Sequence, residues 1–401
     1  MPSFMQRFGV YSAAVAGKLK RMKEKIWIHA VSVGEIQVAL RFIEEFRAVR
    51  PETSFVLTTT TSTAHVLGEK KINQKDVLLY FPVDFPFIMR RVLRQINPLG
   101  LVLVESELWP NLVRLMSARN GRIMLLNGRI SSRSFRRYKL LRPLVRRVLA
   151  YFDVLCAQSG VDAERLIELG AEPGKVRVTN SAKYDIASAP FQARDDFETR
   201  LKSVGFGAEK LLLVGGSTWP GEEFFLLEIY KRLRMTCPAL RLVLVPRHAE
   251  RRNTVKTDIV KSGLKFELWS KCLPSETEQQ ETEVLLVDTT GELRAFYSAA
   301  SVVFIGKSLT ARGGQNPIEA AMCAKPVVIG PHTENFAGVM DDFLGAQAMM
   351  QVDDVESLEN ALRMLLADAN ARRLLGERAQ QVVIKKSGAL RASVTFFLTG
   401  P

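Results

Sequence analysis

The chain has 401 residues, with 56 Lys and Arg against 42 Asp and Glu, a formal net charge of +14. Its 47% hydrophobic content excludes a disordered chain, and the length fits two domains of roughly 200 residues each. All the excess charge lies in residues 1–190, with 30 basic and 16 acidic residues against 26 of each in the remainder, so the halves read as separate units with different partners.

The first half alternates short apolar runs with amphipathic stretches. IWIHAVSV at 26–33 predicts a buried strand that meets Gly34, and Glu35 opens a helical pattern to about Arg50. SFVLTTTT (54–61), VLLYFP (77–82), LGLVLVESE (99–107) and RIMLLNGR (122–129) predict further strands. VLCAQS (154–159) follows, with a helix near 162–169. Strands separated by helices indicate a parallel sheet covered on both faces. The pattern then restarts with LLLVGGST (211–218), RLVLVPRH (241–248), EVLLVDTT (283–290), SVVFIGKS (301–308) and KPVVIGP (325–331). The polar stretch 185–210 places the boundary near residue 190. Two doubly wound halves predict a deep cleft, with ligands at the carboxyl ends of the strands.

Those strand ends carry unusual residues. Ser32 and Gly34 precede Glu35, which sits in a first helical turn, as either an ordinary N-terminal acid or a general base. Glu105, Glu107 and Trp109 end another strand. Carboxylates there need basic partners such as Arg129 or Arg133, or a polar ligand. Asn127 and Arg129 follow the next strand. The run RSFRRYKLLRPLVRR at 133–147 contains Arg133, Arg136, Arg137, Lys139, Arg142 and Arg146. It reads as a solvated face or as a surface for an anionic membrane or phosphate. MRRVLR (89–94) adds a second basic piece.

In the second half, Ser217, Arg247, Gly291, Glu292, Asn316 and Glu319 follow four strand ends or open a helix near Pro317. Small residues let backbone amides approach a phosphate, Arg247 adds a charged contact, and Glu319 suits a ribose diol. Together these loops predict a nucleotide site. Gly306-Lys307-Ser308 mimics the end of a P-loop, but position 301 is Ser where that motif needs Gly. No GxGxxG follows either first strand. The four His and four scattered Cys (Cys156, Cys237, Cys272, Cys323) show no metal-ligand spacing. The expectation is a metal-free site and reduced thiols in a cytoplasmic protein. No apolar run approaches the roughly 18 residues of a membrane span. The N-terminal stretch does not read as a signal peptide.

The motifs WIHAVSVGE (27–35), ESELWPN (105–111), NGRIS with Arg133 and Ser134, PRH (246–248), DTTGEL (288–293) and GGQNPIE (313–319) occur in an order that resembles one family. That family is the 3-deoxy-D-manno-octulosonic acid (Kdo) transferases of lipopolysaccharide biosynthesis. The resemblance runs from about Gln6 to Gly388.

It implies an α/β fold of GT-B type, two doubly wound Rossmann-like domains facing a central cleft. Its domains would be an acceptor- and membrane-facing one at 1–190, a CMP-sugar donor domain at 191–386, and a C-terminal segment at 387–401 packing back on the first. The implied reaction is inverting transfer of Kdo from CMP-Kdo, a co-substrate, to a lipid A precursor, with no cofactor and no metal. Glu35 would be the catalytic base. Ser32, Glu105, Glu107, Asn127 and Arg129 would form an acceptor-side or structural polar site. Ser217, Arg247, Gly291, Glu292, Asn316 and Glu319 would hold CMP, with Lys183 a donor contact. The implied location is peripheral, on the cytoplasmic face of the bacterial inner membrane, with an anionic membrane surface and no nucleic acid as partner.

Three departures stand out. Lys307 replaces a frequent Gly, Gln315 a frequent His, and Asn180-Ser181-Ala182-Lys183 a Gly-Asn-x-Lys pattern. Members usually carry a hydrophobic anchor before the stretch resembling 6–9. Without one here, either the N-terminus was trimmed or attachment is peripheral. Alternatives are a GT-B enzyme using another nucleotide sugar and, at the margin, a nucleic-acid-binding module, for which no motif appears.

Overall fold

Runs of Val, Leu and Ile buried on both faces build two all-parallel sheets of seven strands each. The computed structural model describes residues 2–275 and 282–400. They fall into two units, Met1–Ile186 with Lys386–Pro401, and Ala187–Lys385.

In the first unit the strands are β1 Lys25–His29, β2 Ser54–Thr59, β3 Val77–Tyr80, β4 Gly100–Val104, β5 Arg122–Gly128, β6 Val154–Ala157 and β7 Val176–Val178. Their order is β3-β2-β1-β4-β5-β6-β7. The second unit has β8 Leu211–Thr218, β9 Leu240–Pro246, β10 Phe266–Leu268, β11 Val284–Leu286, β12 Val302–Ile305, β13 Val327–Ile329 and β14 Met350–Gln351. Their order is β10-β11-β9-β8-β12-β13-β14. Strand order therefore reverses between β1 and β4 in one sheet and between β8 and β12 in the other. Chains leaving neighbouring strands part to opposite faces there, which opens a crevice at the carboxyl ends.

The expected strands are all present, but most end earlier than the sequence suggests. β1 stops at His29 because Ser32 already caps the helix Val33–Val49. The short strands β7, β10 and β14 were not expected; each lies at a sheet edge. The basic run also differs from a single helix. It breaks at Leu141 into Ser132–Leu140, which buries no side chain, and Arg142–Leu149.

Cores lie on both faces of the first sheet and on one face of the second, whose other face is also buried through Leu212, Val214, Val243, Val303 and Ile305. The last helix, Ala389–Thr399, packs on Val33–Val49, with the rings of Phe397 and Phe46 5.8 Å apart. Arg122 donates to the Leu398 carbonyl at 2.9 Å. Asp185 accepts from the amides of Gly388 and Leu390 at 2.6 and 3.3 Å. The chain end thereby closes over the first sheet.

Candidate active site

At the β1/β4 reversal the sequence S-V-G-E forms a helix cap. Ser32 is the N-cap, its hydroxyl accepting from the Glu35 amide at 3.3 Å. The Glu35 carboxylate turns back to accept from the Ser32 hydroxyl at 2.8 Å and the Val31 amide at 2.9 Å. Glu35 is 8% exposed. It therefore serves as a cap, and each carboxylate oxygen keeps further lone-pair capacity toward a ligand.

Glu105 leaves β4 with φ 60°, in the left-handed region that favours glycine. Burial, and then the Glu35 charge, raise its pKa; Lys183 and Arg129 counter the rise. The counter-charges reaching Glu105 are thus Lys183 and Arg129, of which only Arg129 was expected. Burial lowers the Lys183 pKa, and Glu105 opposes that. Burial and the Glu35 charge push Glu107 up to about 7. Asn127 sits at a bulge near the end of β5, with φ 56°. Its side-chain oxygen accepts from the Ala182 amide at 2.9 Å, tying β5 to the segment that carries Lys183. Glu35, Glu105, Glu107, Arg129 and Lys183 thus form one electrostatic group, with Ser32 and Asn127 shaping its backbone.

Two polar side chains near these strand ends were not anticipated. His29, at the end of β1, is fully buried and stacks on Phe81 at 3.7 Å. Its Nε2 lies 3.9 Å from Glu107 Oε2. Asp84 accepts from the amides of Asn111 and Leu112 at 3.0 and 2.9 Å, capping the helix Pro110–Ser117 that follows Trp109. The signal for both was position alone, since each lies at or just past a strand end.

At the β8/β12 reversal, Ser217 occupies a bulge with φ 54°. Arg247 is exposed, its amide held by the Thr218 carbonyl at 3.1 Å. Asn316 accepts from the Ile318 amide at 3.1 Å and donates to Glu319 at 3.3 Å. Burial raises the Glu319 pKa, against Asn316 and the charges of Arg294 and Arg247. Arg247, Asn316 and Glu319 are therefore brought together. Gly291 has φ 91°. Glu292 points elsewhere, its carboxylate accepting from the Trp269 indole at 2.9 Å and from the Thr289 hydroxyl. A cavity of about 430 Å³ beside Gly291 and Glu292 is lined by Phe191, Arg194, Arg200 and Thr289.

The P-loop look-alike has a different use. The amides of Lys307, Ser308 and Leu309, with that of Trp219, all donate to the buried Glu222 carboxylate at 2.8 to 3.1 Å. A side chain fills the nest in which a phosphate would sit.

Arg133, Arg136, Arg137, Lys139, Arg142 and Arg146 are all exposed on the two basic helices. Leu140, Leu141 and Leu144 are exposed among them. Lys139 pairs with Glu168 at 2.5 Å. Among the described residues no group of three or more His, Cys, Asp or Glu side chains is placed to hold a metal ion. None of the described helices is long and apolar enough to cross a membrane.

Two Rossmann-like units with ligand-type loops at their reversals define a GT-B fold. Anabaena Alr3699/HepE, solved in complex with UDP, shares it: TM-score 0.59 at 13% identity, over 94% of this chain and all of that one. Residues 226–382 match the family of glycosyl transferases group 1. Residues 2–186 match the family described as 3-deoxy-D-manno-octulosonic-acid transferase (kdotransferase). The 3-deoxy-D-manno-octulosonic acid transferase of Haemophilus influenzae is 30% identical over 96% of this chain and 88% of its own length. A bifunctional glycosyltransferase/methyltransferase of Fusobacterium nucleatum is 32% identical over 87% of this chain, which spans 54% of that protein. The chain belongs to the Kdo transferase family of glycosyltransferases.

Proposed function

We propose that the chain transfers Kdo from CMP-Kdo, with inversion, to a hydroxyl of a lipid A precursor, an acylated and bisphosphorylated glucosamine disaccharide. The Glu35 carboxylate takes the acceptor proton as the hydroxyl oxygen attacks the anomeric carbon. The bond from that carbon to the phosphate oxygen breaks, and CMP leaves. The Arg247 guanidinium stabilises the charge that develops on the phosphate, so the step calls on no metal. Lys183 and Arg129 balance the acidic group around Glu35. Asn316 and Glu319 hold the ribose.

The observation that carries this reading is the Glu35 carboxylate at the sheet's reversal, fixed by Ser32 and the Val31 amide and flanked by two further acids. A base must be held in place before its substrate arrives. The basic helices with their exposed leucines suit an anionic membrane and a phosphorylated lipid, each Lys or Arg adding up to about 1 kcal/mol. These features support a peripheral enzyme on the cytoplasmic face of the bacterial inner membrane as part of the same proposal.

The test is transfer from CMP-Kdo to the tetraacyl disaccharide bisphosphate, with products read by mass spectrometry. Glu35→Ala is expected to keep its fold and CMP affinity yet lose transfer. Wild-type turnover in that variant removes Glu35 as the base. Absence of any Kdo-bearing product from the wild type removes the reaction itself.

A further inference from the structure

Lys307 follows β12 at the reversal of the second sheet and has φ 55°, a conformation that favours glycine. Its backbone is fixed from both sides. The amide donates to Glu222 at 2.8 Å, and the carbonyl accepts from the Gly314 amide at 3.0 Å. Glycine would make the same two bonds without strain, so the fold does not account for a lysine here.

The side chain does have a defined place. Its ammonium lies 4.7 Å from the centroid of the Trp219 ring, and Trp219 meets His248 edge-on at 5.5 Å. A Cβ added to Gly313 would stand 3.6 Å from Lys307 Nζ. The cation thus sits beside the loops that carry Arg247 and Asn316. Glu222 is no counter-ion for it, since four amides already engage that carboxylate. No carboxylate among the described residues forms an ion pair with Lys307. A cation on a tryptophan face, strained into position and unneutralised, calls for an anion from outside the chain.

We infer that Lys307 and Trp219 form the subsite that reads the carboxylate of the donor's acidic sugar. This rests on the nucleotide-sugar reading above and adds a specificity-determining residue to it. Arg247 already suits the phosphate. An aromatic ring beside a cation suits a sugar acid, which has a C–H face as well as a carboxylate. A phosphate has no use for the ring.

The test compares CMP with CMP-Kdo on the full chain. Lys307→Gly relieves the strain, and Lys307→Met keeps the bulk without the charge. Both are expected to bind CMP within twofold of wild type by calorimetry, while the KM for CMP-Kdo rises about tenfold, as for loss of one charge-assisted hydrogen bond. The thermal midpoint of Lys307→Gly should equal or exceed the wild type's, which excludes misfolding as the cause. Unchanged KM for CMP-Kdo in either variant overturns the inference. So does an equal loss for CMP alone, which assigns the cation to the phosphate. A wild-type chain that binds neither compound overturns the underlying nucleotide reading first, before any variant is made.

Discussion

His29 Nε2 faces Glu107 Oε2 at 3.9 Å across the β1/β4 reversal, and the rest of the imidazole's surroundings fix what that nitrogen can do. Nδ1 lies 3.1 Å from both the carbonyl and the hydroxyl of Thr58. A carbonyl can only accept, so Nδ1 carries the hydrogen and Nε2 presents a lone pair. Burial drives the His29 pKa down to about 3, so the ring stays neutral. Glu107 is pushed the other way, up to about 7. The acid that protonates most readily therefore faces a nitrogen that can only accept.

The stability of the first unit should record the Glu107 proton. Glu107 has a pKa of 4.5 when unfolded and about 7 in the native chain. Between those values the native state holds a proton that the unfolded chain has released. That stability is fully present below pH 4.5 and is lost as pH rises through 7. Glu107→Gln does not titrate. Its stability relative to wild type should therefore climb between pH 5 and pH 8, by no more than about 3 kcal/mol. Urea midpoints across that range check it, and a constant difference contradicts it.

His29 should act with the opposite sign. Its native pKa of about 3 lies below the unfolded 6.5. Between them the unfolded chain binds a proton that the native chain refuses. Stability then falls as pH drops from 6.5 toward 3, by about 1.4 kcal/mol per unit. His29→Asn loses packing against Phe81 at every pH but removes this slope. Its stability curve should be flatter than wild type below pH 6. Parallel curves would place the His29 pKa near its unfolded value.

Much of this was legible in the sequence, for identifiable reasons. Strands buried on both faces read as continuous apolar runs, so β1, β4, β8 and β12 were plain. β8 was bounded correctly, whereas β1 was overshot because Ala30, just past it, is buried like the strand residues. β7, β10 and β14 are too short to show a pattern. Glu35 and Glu105 stood out because acids are costly at the end of a buried strand. His29 did not, since a strand pattern absorbs one polar residue and its partner Thr58 lies 29 positions away. The filling of the Gly306-Lys307-Ser308 turn was hidden for the same reason, with Glu222 lying 85 residues before Lys307.

If Glu319 holds the ribose, its loss should be felt by the nucleotide alone. Glu319 accepts from Asn316 at 3.3 Å and feels the charges of Arg294 and Arg247. Glu319→Ala removes a charged hydrogen-bond acceptor, worth roughly 1.5 kcal/mol, or about tenfold in affinity. Calorimetry with CMP should show that loss while the thermal midpoint stays within a few degrees. Unchanged CMP affinity removes the ribose role.

Glu222 is the residue on which the second unit's reversal depends. It is 1% exposed, and its two oxygens accept from the amides of Trp219, Lys307, Ser308 and Leu309. Truncating it leaves four donors without a partner in a site largely closed to water. One such orphan costs about 1–3 kcal/mol, so Glu222→Ala should lose at least about 4 kcal/mol of stability. Glu222→Gln keeps one accepting oxygen but turns an N–H₂ group toward the amides on the other side, so it should recover only part of the loss. Glu228→Ala is the control. That half-exposed acid pairs with Lys231 at 2.9 Å, and its loss should cost under about 1 kcal/mol. Denaturant titration of the three variants ranks them. Equal stability of Glu222→Ala and Glu228→Ala would show that solvent satisfies the loop amides once the carboxylate is gone.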